Sequence, residues 1–162
     1  MGAIATSSSG TVRVLDDDLI RSARVTEAQL ERVTANERAE LERREHLYRG
    51  DRPFPDIAGK TVILVDDGLA TGATMRAAVA ALRQESPGRI VVAVPVAALE
   101  TCNAFRDIAD ETICAETPEP FTAVGQWYEN FSPTTDEEVH ELLERARAAA
   151  PRTSSGTATA ST

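Results

Sequence analysis

The chain has 162 residues, 42% of them hydrophobic and 27% charged, and a net charge of −9, values that fit one globular domain with a buried core. No apolar run approaches the roughly 20 residues that span a bilayer, and residues 1–10 lack the pattern of a secretory signal, so the expected compartment is the cytoplasm. Because the charge is negative and the basic residues are scattered, a protein that binds nucleic acid or a membrane surface is excluded.

The first predicted elements form a hairpin. Two short runs with strand-like composition, residues 3–6 and 11–15, are separated by a Ser-Ser-Ser-Gly turn. A short helix is expected to follow at residues 16–24.

A long helix is predicted next. Thr26 and Gln29 form a capping box, which indicates that the helix begins there, and it is expected to run to about Tyr48. Its dense charge and thin apolar stripe favour a solvent-facing helix along one edge of the domain. A contact with a second protomer is the alternative, and it leaves a homodimer open.

The middle of the chain alternates strands with helices. Strands are predicted at residues 61–65, 90–96 and 112–115, with helices at 74–84 and 101–109 between them. The first strand is apolar throughout, which is typical of a parallel strand covered on both faces. This alternation with short links predicts an α/β fold with a parallel sheet. Ligands of such sheets bind at the carboxyl ends of the strands.

The last part of the chain is predicted to contain a proline-rich, aromatic segment at residues 118–133 and a helix. The helix begins at Thr135, is capped by Glu138 and runs to about residue 150. Residues 151–162 are rich in Ser, Thr and Ala and are expected to be disordered.

Two cysteines, Cys102 and Cys114, are present. Two are too few for a disulfide framework, and their spacing is not that of a metal site. We therefore expect two buried or inert thiols and predict no metal-ligating residues.

The chemical signal lies at residues 62–74, which read VILVDDGLATGAT. A strand delivers two adjacent carboxylates, Asp66 and Asp67, and a loop of small residues then leads into a helix. The N–H groups of the loop and of the helix N-terminus form an anion site, which Gly72 lets a phosphate approach closely. Carboxylates beside an anion site suit a ligand with hydroxyls at one end and a phosphate at the other, such as a ribose 5-phosphate.

Other protein classes share parts of this run. The Gly-Lys-Thr at residues 59–61 is similar to the end of an ATPase P-loop, but Phe54 stands where its first glycine belongs, and the lysine precedes a strand instead of a helix. Phosphorylation receiver domains need a lysine at a later strand end, whereas Lys60 lies upstream. The remaining alternative is a purely structural role, in which the two acids cap a turn and Gly72 allows the backbone conformation of that turn.

Residues 66–75 resemble the 5-phosphoribosyl-1-pyrophosphate signature of type I phosphoribosyltransferases, especially the version in adenine phosphoribosyltransferases. Residues 2–143 resemble a group of predicted bacterial phosphoribosyltransferases whose substrates are not established. The resemblance implies a parallel-sheet, Rossmann-like type I phosphoribosyltransferase fold. It also implies a transferase that moves the phosphoribosyl group of its small-molecule substrate between pyrophosphate and a nitrogenous base.

The resemblance also implies roles for single residues. Asp66 and Asp67 match the acids that hydrogen-bond the ribose 2′ and 3′ hydroxyls and stabilise the positive charge that develops on the sugar, which makes them the expected catalytic pair. The loop that holds the 5′-phosphate is matched by Ala70, Thr71, Gly72, Ala73 and Thr74. In the family, magnesium is bound together with the pyrophosphate. Some members carry an aspartate where Ala70 stands, so any general base must come from elsewhere or be dispensable.

The resemblance divides the chain into four regions. They are a flexible-loop hairpin with the long charged helix (residues 1–50), a core phosphoribosyl-binding unit (51–117), a hood-like segment with the last helix (118–150) and the tail (151–162). The hood covers the nucleobase in the family. Trp127 and Tyr128 in this segment either stack on a base or close the edge of the core, and the sequence leaves both readings open.

The family fold begins before the match at residue 2. Its first two core strands, and the residues that grip pyrophosphate, have no counterpart in these 162 residues. The expected fold therefore lacks its first strands and exposes an edge strand and apolar surface. A start codon assigned too late is the favoured explanation, and a decayed gene or a fragment completed by a partner are the others. The alternative functions are a non-catalytic module that senses phosphoribosyl pyrophosphate or a nucleotide, and an inactive remnant.

Overall fold

The computed structural model describes residues 2–7, 10–15, 20–21 and 23–149, which form a hairpin, a parallel sheet and the helices around them. In chain order the elements are β1 (Gly2–Ser7), β2 (Gly10–Leu15), α1 (Glu27–Arg49), β3 (Thr61–Val65), α2 (Ala73–Arg83), β4 (Arg89–Val96), α3 (Leu99–Phe105), β5 (Glu111–Glu116), a short 3₁₀ helix (Val124–Trp127) and α4 (Asp136–Ala149). The helix predicted at residues 16–24 lies mostly outside the described residues, and the tail at 151–162 lies entirely outside them.

The predicted N-terminal hairpin and the predicted long helix are both present. Strands β1 and β2 pair antiparallel, with Gly2 opposite Leu15. Helix α1 begins with the predicted capping box: the Gln29 N–H donates to the Thr26 hydroxyl, and the Thr26 N–H donates to the Gln29 side chain. No side chain of α1, which the structure describes throughout, is buried. The helix is therefore solvent-facing, as its thin apolar stripe indicated.

The three core strands form a parallel sheet in the order β3–β4–β5, which confirms the α/β prediction. Helices α2 and α3 cover one face of it, where Met75, Val79 and Phe105 pack against Ile90 and Val92 in one buried cluster. Helix α3 ends four residues earlier than predicted. The turn after it instead ties Asp110 to the start of β4, since its N–H donates to the Ile90 carbonyl at 2.9 Å and its carboxylate accepts from the Ile90 N–H at 2.6 Å.

The opposite face of the sheet is exposed along its two outer strands, β3 and β5. The expectation that the first core strand is covered on both faces is wrong, because Ile63 is 61% and Val65 75% exposed. Ile113 of β5 lies on the same face and is 48% exposed. Val91 of β4, which lies on the same face between these strands, is 7% exposed, and in the described part of the chain β3 is an edge strand. The predicted edge strand and apolar surface are therefore confirmed.

Helix α2 is buried on two sides. Met75 and Val79 face the sheet, while Ala77 and Ala81, on the other side of the helix, are 0% and 2% exposed. The β1–β2 hairpin contacts this helix. Alanine side chains are short enough to let a strand approach a helix closely, so the hairpin is attached to the helix that follows the signature.

The expectation of two inert thiols is wrong. Cys102 and Cys114 form a disulfide that joins α3 to β5, with the Cα atoms 6.5 Å apart and a sequence separation of 12 residues. In the chain-entropy view, a loop of this length stabilises the folded state by about 3 kcal/mol, because the unfolded chain is restricted. The spacing did not reveal the bond, since strand and helix packing brings the two residues together.

Helix α4 returns along α1. Its predicted cap is present, with the Thr135 N–H donating to Glu138 and the Glu138 N–H donating to Thr135. Asp136 accepts from the Tyr48 hydroxyl and pairs with Arg43 at 2.9 Å, so these groups hold the pKa of Asp136 below its ordinary value. None of the helices in the described residues combines the length and the apolar character that a bilayer-spanning helix needs.

Candidate functional site

The loop between β3 and α2 folds over the carboxyl end of the sheet. Its central residue, Leu69, is 1% exposed. The Leu69 N–H donates to the Val96 carbonyl at 3.0 Å, and the Leu69 carbonyl accepts from the Ala98 N–H at 2.9 Å. Both partners lie at the end of β4 or directly after it. The loop is therefore fixed at the sheet edge where the strand pattern predicts ligands to bind.

The two acids occupy different environments at this edge. Asp66 is half-buried, and its Oδ1 accepts from the Asp67 N–H at 3.0 Å. Asp67 is exposed. Burial raises the pKa of Asp66, and the neighbouring charge of Asp67 adds to this, while the hydrogen bond from the Asp67 N–H acts against it. The pair thus presents one partly desolvated carboxylate beside one that faces solvent.

The other half of the loop forms the N-terminus of α2. Gly72 is the residue before the first helical turn, with φ of 71° and ψ of 11°, and it provides no side-chain cap. A glycine is favoured there, because other residues rarely adopt this left-handed conformation. Ala70 and Thr71 are exposed, as is Thr74. Uncapped N–H groups at a helix N-terminus beside two small exposed residues can receive an anion.

Two side chains outside residues 66–75 hold this loop. The Thr101 hydroxyl of α3 donates to the Ala70 carbonyl at 2.6 Å, and the Tyr128 hydroxyl donates to the Asp67 carbonyl at 2.6 Å. No local pattern pointed to Thr101, because it is 31 residues from Ala70. The Tyr128 hydroxyl thus contacts the loop, which is compatible with both predicted roles of this residue. Trp127, beside it, is 46% exposed.

We expect Asp66→Asn to stabilise the folded protein at neutral pH. Because its folded pKa lies above the ordinary 3.8, the stability that Asp66 contributes is fully present only below that ordinary value and is lost as the pH rises through the folded pKa. Asparagine keeps the side chain neutral at every pH. The melting temperatures of variant and wild type should coincide near about pH 3 and separate above it. A destabilised Asp66→Asn at pH 7 would contradict the assignment.

The chain is similar to a known family and to two curated proteins. The sequence model described as "Phosphoribosyl transferase domain" matches residues 11–126. Two curated proteins of Mycobacterium tuberculosis are each 40% identical to it over 135 residues. They are "Putative phosphoribosyl transferase MT0597" of strain CDC 1551 / Oshkosh and "Putative phosphoribosyl transferase Rv0571c" of strain ATCC 25618 / H37Rv. The matched region is 83% of this chain and 30% of each relative. The chain thus spans less than a third of the length of these relatives.

A solved structure is similar over most of the chain. It is the crystal structure of the protein TT1426 from Thermus thermophilus, which is 36% identical and superposes with a TM-score of 0.66. The match covers 88% of this chain and 72% of that one. At this identity and coverage the two chains share a fold.

Proposed function

The chain belongs to the family of phosphoribosyl transferase domains, and from that premise we propose that it binds 5-phosphoribosyl-1-pyrophosphate at the β3–α2 loop and transfers the phosphoribosyl group to or from a nitrogenous base. One observation carries the proposal: two carboxylates follow β3 directly, and the loop after them ends at an uncapped helix N-terminus. Hydroxyl-binding and phosphate-binding groups therefore stand at the two ends of one short loop.

At the acid end, Asp66 and Asp67 are suited to bind the sugar. Carboxylates accept hydrogen bonds from hydroxyl groups, which supports contacts with the ribose 2′ and 3′ positions. In the reaction, the bond from C1 of the ribose to a pyrophosphate oxygen breaks, a bond from C1 to a nitrogen of the base forms, and that nitrogen loses a proton. Positive charge develops on the sugar as the first bond breaks, and two fixed negative charges stabilise it.

At the other end, Ala70, Thr71, Gly72, Ala73 and Thr74 are proposed to hold the 5′-phosphate. The positive end of the α2 dipole favours an anion there. Gly72 is buried, and a side chain there would point at α3, 2.5 Å from Phe105, so glycine is the residue that lets the loop rest on that helix. The Thr71 and Thr74 hydroxyls add donors. Because the chain carries a net charge of −9, this local field of N–H groups is what attracts the phosphate.

Magnesium enters the proposal as an ion that binds with the pyrophosphate. Among the residues that the structure describes, no group of three or more His, Cys, Asp or Glu side chains is close enough to hold a metal alone. The donors present do fit the ion, because magnesium prefers oxygen ligands, keeps several waters and uses one or two carboxylates with substrate phosphates. Asp66 and Asp67 would supply such oxygens. The bound ion neutralises the charge of the leaving pyrophosphate.

A non-catalytic sensing module is the second candidate, and one residue favours it. The exposed methyl group of Ala70 stands where some family members carry an acid, and it cannot assist a proton transfer. Such a module would bind phosphoribosyl pyrophosphate or a nucleotide without chemistry.

Calorimetry with phosphoribosyl pyrophosphate and magnesium, beside an assay of pyrophosphate release with a panel of nitrogenous bases, tests the proposal. We expect saturable binding together with base-dependent release. Saturable binding without release for any base would support the sensing module instead. Absence of binding by the folded protein would overturn both candidates.

A further inference from the structure

We propose that Thr101 and Tyr128 are positioning residues that fix the two ends of the β3–α2 loop, Thr101 at the phosphate end and Tyr128 at the acid end. Neither residue belongs to the signature at residues 66–75. The inference rests on the proposed function, because it assigns the two hydroxyls to the same site. It adds that the signature depends on two side chains from distant parts of the chain.

The phosphate end is set by the orientation of one peptide group. The Thr101 hydroxyl draws the Ala70 carbonyl toward α3. In a trans peptide, the carbonyl of one residue and the N–H of the next point in opposite directions, so the Thr71 N–H points away from α3. Among the described residues, none accepts a hydrogen bond from it. A phosphate on the side opposite α3 therefore meets a donor that Thr101 has already oriented.

Helix α3 also blocks the loop from collapsing. A Cβ atom at Gly72 would lie 2.5 Å from Phe105 and 3.1 Å from the Thr101 methyl group. Phe105 is fully buried and cannot move aside easily. The loop thus rests on a rigid surface formed by Phe105 and Thr101, with the Thr71 N–H directed away from it.

The acid end is held from the hood-like segment. The Tyr128 hydroxyl fixes the Asp67 carbonyl at 2.6 Å, and the Tyr128 ring packs on Phe131 with the centroids 5.3 Å apart. The next residue, Gly68, has no room for a side chain, since a Cβ atom there would lie 2.7 Å from Val124 and 2.8 Å from the Val96 carbonyl. The Asp67 peptide is therefore held between the Tyr128 hydroxyl on one side and a tightly packed glycine on the other.

The two contacts predict different binding defects. Inorganic phosphate probes the phosphate end alone, whereas ribose 5-phosphate probes both ends. Loss of the Thr101 hydroxyl should weaken both ligands, and loss of the Tyr128 hydroxyl should weaken ribose 5-phosphate alone. If the two hydroxyls only stabilised the fold, their loss would lower the folded fraction of the protein and hence the binding stoichiometry, and both Kd values would stay unchanged.

For Thr101, the test is calorimetry of the full chain with both probes. Thr101→Val and Thr101→Ala, which lack the hydroxyl, should bind each probe about tenfold more weakly, while Thr101→Ser, which keeps it, should bind within about twofold of wild type. If Thr101→Val does not fold, Thr101→Ala against Thr101→Ser carries the comparison. Thr61→Val, at the amino end of β3, is the control and should match wild type. Unchanged Kd values in the hydroxyl-free variants would overturn the assignment.

For Tyr128, the chain offers a matched control, because Tyr48 is the other tyrosine and its hydroxyl contacts Asp136, away from the loop. Tyr128→Phe should bind ribose 5-phosphate about three- to tenfold more weakly and inorganic phosphate as wild type does. Tyr48→Phe should leave both Kd values unchanged. Equal Kd values for the two phenylalanine variants would overturn the role of Tyr128. A wild-type protein that binds neither probe would overturn the proposed function as well, whereas normal wild-type binding with unaltered variants would remove the positioning roles alone.

Discussion

The double variant Asp66→Asn, Asp67→Asn is expected to release pyrophosphate at least about 10³-fold more slowly than the wild type. Asparagine has nearly the size and shape of aspartate, so packing around the half-buried Asp66 is retained. What is lost is the pair of negative charges that would stabilise the sugar as its bond to pyrophosphate breaks. The measurement is magnesium-dependent pyrophosphate release with the base that supports turnover in the wild type.

The same variant should still bind inorganic phosphate. Two negative charges near the anion site are removed, so the Kd for phosphate should stay constant or fall. Asp51→Asn, an exposed aspartate outside the loop, is the control and should turn over normally. Turnover of the double variant at the wild-type rate would remove the two acids from the mechanism, and loss of phosphate binding would show that the loop itself has been disrupted.

Gly72→Ala is expected to lower the free energy of unfolding by about 2–5 kcal/mol. Two effects lower the free energy of unfolding. A residue with a Cβ atom in the left-handed backbone conformation costs about 1–2 kcal/mol. Overpacking against a rigid neighbour costs about 1–3 kcal/mol. The first follows from the φ of 71°, and the second from the 2.5 Å that would separate the new Cβ atom from Phe105. Denaturant unfolding measures the change. The loss is a large part of the stability of a small domain.

Gly59→Ala separates the two costs. Gly59 has a similar φ of 69°, but a Cβ atom there would meet nothing within 4 Å. It should therefore lose only the backbone part. The difference between the variants measures the contact with Phe105, and equal losses would show that this contact carries no cost. Gly72→Ala should also weaken phosphate binding, because the loop must shift away from α3 to make room.

Local patterns predicted the elements well. The capping box at Thr26 and Gln29, the cap at Thr135 and the apolar strand runs involve residues that are neighbours in the chain, and the structure confirms them. The position of the acids is local too, since Asp66 and Asp67 directly follow β3. Their chemical roles, and those of the loop residues after them, stay predictions that the binding and turnover experiments test.

Contacts between distant residues could not be predicted in the same way. The exposure of Ile63 and Val65 depends on which face the helices cover, and an apolar run is compatible with one covered face or two. The Cys102–Cys114 disulfide depends on the packing of α3 beside β5. The 3.6-residue periodicity of helices and the two-residue periodicity of strands predict neither which face of the sheet is covered nor which cysteines are joined.

The sequence by itself determined the order of strands and helices. It also placed two carboxylates and an uncapped turn between β3 and α2. Both follow from the sequence because backbone conformation and capping depend on residues a few positions apart. Only the tertiary structure decided which side of that turn is closed. Thr101 and Phe105 lie beneath it and Tyr128 beside it because the sheet brings α3 and the segment around Tyr128 to the same edge. A hydrogen bond over 31 or 61 residues exists only once the core has packed.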